Sequence, residues 1–257
     1  VSADLRPAEA TVVHTRILRC TLAPDDCYSY WRNVDPGVPP SERAPIAFRE
    51  RWFGVKSEAR VRTLVPDMVE RFDSYPSALA LLRALGPIPS RLRPLLCHVH
   101  VQLADPVYRR FTGELLPRRR REGYRTIDRD TVVRWVDELE PGRWGAATRI
   151  KFASNLLAAA HEVGLVGSTR DPRPLVVPFV PEVVLGYVLY LLREVRFEGT
   201  LVDNPYLRSL GVEGDAPSVA LARVPGVRLA ELGGARELTF LQPSLLAYGL
   251  QNLKEAA

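Results

Sequence analysis

The side chains best suited to chemistry in this chain are arginines gathered in its middle third. Arg118, Arg119, Arg120 and Arg121 are consecutive, with Arg109 and Arg110 upstream and Arg125 just after. Between positions 109 and 125 seven arginines meet only Glu114 and Glu122, a local balance of +5. A guanidinium is a planar fork of donors that matches phosphate oxygens, so such a run grips a nucleic-acid backbone. A solvated charged loop is the competing reading. Further on, Thr148, Arg149, Lys151 and Asn155 share one helical stretch, and Arg170 lies in a polar turn. Cations near a helix start anchor phosphates, and an amide one turn later suits base edges. For that helix the alternative is a solvated face on an element of the core.

Other chemistries find less support. Cys97-His98-Val99-His100 has metal-ligand types, but histidines two apart share a side only in a strand, and this segment reads as a helix. No second Cys or His pair stands at zinc-site spacing. Ser154 and His161, seven apart on one helix, lack the buried carboxylate a nucleophile and base would need. The chain has neither a glycine-rich phosphate loop nor a helical His-Glu-x-x-His motif. The expectation is a protein without catalytic chemistry, cofactor or metal.

The elements that must position the basic residues follow from spacing. A helix spans Asp128 to Leu139, with Val132, Val133, Val136 and Leu139 at helical steps, and Pro141-Gly142 stops it. Trp144-Gly145 opens a second helix whose Ile150, Ala153, Leu157 and Ala160 recur as one buried face, with Gly164 ending it. That choice turns Thr148, Arg149, Lys151, Ser154, Asn155 and Ala158 outward. Leu165-Val166, the turn Ser168 to Pro172 and Leu175 to Val177 complete a hairpin. Helix, helix and hairpin in that order outline a winged helix, which places its second helix in a major groove.

Helices flank this unit. Ser57 caps one carrying Val61, Leu64, Val65, Met68, Val69 and Phe72, with a kink at Pro66. Others run from Ser77 to Leu85, from Ser90 to about Leu103, and from Asp105-Pro106 through Leu116. Residues 33 to 45, with five prolines and glycines, read as an irregular link. Beyond Pro181, Glu182 to Val195 is a helix apolar nearly all round, and Asn204-Pro205 starts a short one ending near Gly211. Glu237 to Leu241 reads as a strand and Pro243 to Leu253 as a last helix. The fold expected is mainly α: a helical bundle with an embedded winged-helix unit and a helical C-terminal region. Its bounds are 1–120 for the N-terminal helices, 121–180 for the winged unit and 181–257 for the remainder, packed on the others.

Composition sets outer limits. The chain has 257 residues, 46% of them hydrophobic and 25% charged, as in an ordinary folded protein. A net charge of +5 permits an anionic partner without requiring one. Thirty-two arginines against three lysines reflect a GC-rich genome, so clustering carries more weight than count. Cys20, Cys27 and Cys97 cannot all pair within the chain, which suits a reduced cytoplasm. The longest apolar run, Val183 to Leu192, is about half a membrane span.

Several of these segments together resemble the BrxA family, small accessory proteins of bacterial BREX phage-defence islands. The resemblance runs from about Ile17 to Tyr248. It is carried by Arg60-Val61-Arg62 with the helix to Phe72, Tyr75-Pro76 through Leu85, and Ala104-Asp105-Pro106 within His100 to Phe111. The densest part is Trp144-Gly145-Ala146-Ala147-Thr148-Arg149, continuing through Asn155-Leu156-Leu157 to Gly164-Leu165. Pro178-Phe179-Val180-Pro181 and Asn204-Pro205-Tyr206-Leu207 also fit. The chain is longer than typical members, with added loops at 33 to 45 and 211 to 236. The resemblance implies a mostly helical protein that binds double-stranded DNA and works with other BREX components; a homodimer is compatible with it, and the short apolar run gives no support to a place in a membrane. Two other functions stay open: a scaffold for a defence methyltransferase complex, and an RNA-binding helical bundle.

Overall fold

Helix signals in the N-terminal half act where the sequence puts them. In the computed structural model, which describes residues 4–213, 216–232 and 235–256, a 3-10 turn at Arg16–Leu18 precedes helices α1 (Pro24–Asn33), α2 (Pro40–Arg49) and α3 (Glu58–Met68). Ser57 accepts the Arg60 amide at 3.3 Å and caps α3. Helices α4 (Pro76–Ala84), α5 (Arg93–Ala104) and α6 (Pro106–Arg110) follow. Asp105 Oδ1 accepts the amides of Val107 and Tyr108, at 2.9 and 3.0 Å, and so starts α6. A π-helical turn, Phe111–Leu115, then leads without a break into α7 (Leu116–Arg121). The helix expected to end at Leu116 therefore continues through all four consecutive arginines, which occupy a helix end rather than a loop.

The winged-helix order comes next: β1 (Thr126–Ile127), α8 (Arg129–Leu139), α9 (Ala146–Glu162) and β2 (Arg173–Pro174). Asp128 caps α8 by accepting the Thr131 amide at 2.7 Å. β1 and β2 pair antiparallel, Thr126 opposite Pro174 and Ile127 opposite Arg173. One further bridge joins Val166 to Leu175, supported by Val176 N–H to Leu165 O and Gly167 N–H to Pro174 O. Residues 173–176 thus lie between 125–127 and 165–167, a three-segment sheet closing on two helices. The expected hairpin is present, shorter than drawn and with β1 added to it.

The C-terminal region carries α10 (Glu182–Arg193), α11 (Pro205–Ser209), α12 (Ala216–Ala222), the antiparallel hairpin of β3 (Val227–Leu232) and β4 (Ala235–Phe240), and α13 (Leu245–Ala256). Two expectations give way here and in the N-terminal region. The link at 33 to 45 contains the first half of α2, because Pro40 sits at the first helical turn, where a missing N–H costs nothing. The span 211 to 236 is not a loop: it holds α12 and β3.

Burial explains why these elements stay together. Every residue of α10 from Val184 to Leu192 is buried, as its all-round apolar sequence requires. Gly186 lets Tyr248 of α13 lie against α10; a methyl group there would overlap the tyrosine ring. One cluster of buried side chains spans Val13 to Leu253 and takes residues from all three expected regions. The two histidines buried within it are paired on both ring nitrogens. His98 lies between Tyr108 Oη and Ser209 Oγ, at 2.8 and 2.9 Å, and His100 between the Arg71 carbonyl oxygen and Tyr187 Oη, at 2.8 and 2.6 Å. Among the described residues no helix is long and apolar enough to cross a membrane.

Candidate nucleic-acid interface

Helix α9 is where the sequence expectation meets its sharpest test. Its buried face is Phe152, Ala153, Leu156, Leu157, Ala159 and Ala160. Ile150, expected inside, is 46% exposed, while Arg149 points toward α8 and forms an ion pair with Asp137. Ala153, Leu157 and Ala160 are buried as expected, and the buried face extends from them toward Phe152, Leu156 and Ala159 rather than toward Ile150. The reason is packing: Phe152, which the spacing argument passed over, is the large side chain that fills the core. Trp144, half-buried, packs on it with ring centroids 4.5 Å apart.

The second departure is Asn155. Its Nδ2 donates to the Ile17 carbonyl oxygen at 2.9 Å, so its amide is spent inside the molecule. This bond belongs to a longer contact. Arg143, just before α9, donates to Val13 O at 2.9 Å, and Glu162, at its end, accepts from Thr21 Oγ1 and the Ala23 amide at 3.4 and 3.2 Å. Residues 13–23 therefore run along one flank of α9 from its start to its end. Nothing in the local pattern of α9 announces a partner 138 positions away in sequence.

Outward-facing on α9 are Ala147, Ile150 and Lys151, with Ser154 and Ala158 half-buried beside them; Thr148 is half-buried on the flank. Of the two cations expected to read DNA from this helix, only Lys151 is exposed and free of protein partners. Arg125 and Arg170 are exposed as well, at the edge of β1 and in the turn of the wing, and neither guanidinium is bonded among the described residues. The wing turn is held internally, with Ser168 Oγ accepting the Arg170 amide at 3.0 Å and Asp171 accepting that of Arg129 at 3.1 Å.

The four consecutive arginines divide their work. Arg119 stacks on Tyr124, with its guanidinium carbon 3.9 Å from the ring centroid. Arg120 is largely buried, donating to the carbonyl oxygens of Val176 and Arg208 at 3.3 and 3.4 Å, and burial pulls its pKa below the usual arginine value despite Glu213 nearby. Arg121 bonds Glu213 at 2.5 Å. Arg118 is exposed and has no partner among the described residues. The expectation of four guanidiniums free for phosphates is thus corrected: two pack against neighbours, one is in an ion pair, and one remains open. A side chain six carbons and nitrogens long at a helix end finds carbonyls and rings to bind before it finds solvent.

The Cys97 to His100 segment is helical within α5, and its two histidines point to different neighbours, Ser209 on one side and Tyr187 on the other. Burial lowers both: His98 is pushed down to about 3 and His100 to about 4. Among the described residues no group of His, Cys, Asp and Glu is arranged to hold a metal ion.

Comparison of the chain with protein-family models and with curated proteins finds no match.

Proposed function

We propose that the chain binds double-stranded DNA through its phosphates and performs no catalysis, the winged unit being the binding element. The observation that supports this reading is the arrangement of residues 106–176. A helix, an edge strand, two further helices and a wing stand in the order used by winged-helix DNA binders, and exposed uncommitted cations lie on α9 (Lys151), on the edge strand (Arg125) and at the wing (Arg170). With Arg149 and Asn155 engaged inside the protein, the outward face of α9 offers small side chains and one lysine. Phosphate contact and close approach are what such a face does best; bidentate base reading needs groups it does not present. Membership of a BREX-type anti-phage system, with other BREX components as partners, is proposed on the resemblance to BrxA alone.

A second reading has its own observation. Ile150 on α9 and Phe179 after the wing are exposed apolar side chains, Phe179 at 86%. Such groups suit a protein surface, as in a scaffold that docks onto a methyltransferase. Fluorescence anisotropy with labelled duplex, single-stranded DNA and structured RNA, each at several salt concentrations, separates the readings. The DNA reading expects tightest binding to duplex, weakening linearly in log–log form with salt. Preference for structured RNA moves the function to RNA, and no binding to any of the three at low salt leaves the scaffold.

A further inference from the structure

The arginines drawn away from the expected groove line a different feature. Between α7, α11 and the C-terminal hairpin is a surface pocket of about 510 Å³, within the range of roughly 300–1,000 Å³ that holds small organic ligands. Four guanidinium groups reach it, from Arg118 and Arg121 on α7, Arg208 on α11 and Arg236 on β4. Three carboxylates answer them. Glu213 is taken by Arg121 at 2.5 Å and also faces Arg120 at 4.0 Å, and Asp203 is taken by Arg208 at 2.8 Å. Glu114 lines the wall beside Arg118 without a protein bond. Arg208 also spends its Nε on the Gly113 carbonyl oxygen, which fixes the guanidinium in place. Val202 and Val212 give the wall an apolar part.

We propose that this pocket binds a phosphate monoester carried on a small organic body, in the size class of a mononucleotide. A duplex backbone is convex and offers two free oxygens per phosphate, whereas a recessed ring of guanidiniums suits a head group with three terminal oxygens and up to two charges. Arg118 has no partner among the described residues, Arg208 and Arg121 are held in position by their own carboxylates, and the valines cover the ligand's body. The same head group occurs on a free nucleotide and on the 5′-phosphorylated end of a nucleic-acid strand. The site is separate from Lys151, Arg125 and Arg170 and does not rest on the duplex-binding reading.

Isothermal titration calorimetry tests it with AMP, adenosine, inorganic phosphate, and one short single strand carrying either a 5′-phosphate or a 5′-hydroxyl. The pocket is expected to bind AMP and not adenosine, and Arg118→Ala to weaken AMP by about tenfold or more, as loss of a charge-assisted bond does. Because Arg118 is exposed and unbonded, that variant keeps its fold, which an unchanged melting temperature verifies. Glu114→Gln should tighten AMP by removing the opposing charge. Tighter binding of the phosphorylated strand than of AMP assigns the strand end as source; the reverse assigns a free nucleotide. The proposal is overturned if neither AMP nor the phosphorylated strand binds, or if wild type and Arg118→Ala bind AMP equally. A duplex with hydroxyl ends reports separately on the winged unit, so failure of one idea is not read as failure of the other.

Discussion

At the scale of single residues, the decisive fact is how many polar side chains are consumed internally. His98 and His100 are fully buried, each with both ring nitrogens in bonds, and both are held neutral far below the ordinary histidine value of 6.5. In the unfolded chain they take a proton near pH 6.5; in the folded one they resist until about pH 3 and 4. Each therefore contributes stability that is complete above pH 6.5 and is lost as pH falls toward those values, with a slope of up to about 1.4 kcal/mol per pH unit. Asp67, Asp105 and Glu162, raised by burial, act in the opposite sense and offset part of the loss at the lower end of that window. The melting temperature should fall between pH 6.5 and 5, and the fall should be shallower in His100→Gln. A melting temperature flat across that range would mean that the histidines are not held neutral by the fold.

At the scale of elements, α9 is defined as much by residues 13–23 as by α8. Asn155 is the middle tie of that contact. Asn155→Ala leaves the Ile17 carbonyl oxygen without its partner and should cost about 1 kcal/mol of stability, read as a lower midpoint in urea unfolding. Duplex affinity should not change, since the amide nitrogen is already bonded to the Ile17 carbonyl oxygen. A loss of affinity at unchanged stability would return Asn155 to the role of base reader. The elements themselves were largely legible. Ser57, Asp105, Asp128 and Asn204 each cap the helix their position announces, because a capping bond is made within three residues and the sequence contains both partners. The edge of the buried face of α9 was not legible: it takes in Phe152 and leaves Ile150 out. Ile150 and Phe152 are both apolar, and only the tertiary neighbours decide which of them goes inside. The helices α1, α2 and α12 and the strand β3 were missed, α1 and α2 because the prolines that read as breakers stand in their first turns. The surroundings of the expected residues were legible in part: Lys151, Arg125 and Arg170 are exposed as the sequence suggests, whereas the partners of Arg149, Asn155 and Arg120 lie in other elements.

At the scale of the whole molecule, a positive net charge sits on a surface where most arginines are already paired. Affinity for a polyanion then depends on the exposed cations that hold no side-chain partner among the described residues. Arg125, Lys151 and Arg170 are three of these on the winged unit, and Arg118 lines the adjacent pocket. The most direct test of the central claim is the salt dependence of duplex binding by wild type and by the triple variant Arg125→Ala, Lys151→Ala, Arg170→Ala. Each phosphate contact releases condensed counterions and contributes about −0.9 to the slope of log K against log salt. If the winged unit holds the phosphates, the triple variant binds every duplex tried more weakly, with a slope shallower by roughly 2 to 3. A triple variant that binds duplex with the wild-type affinity and slope would contradict that claim and remove the winged unit from the interface.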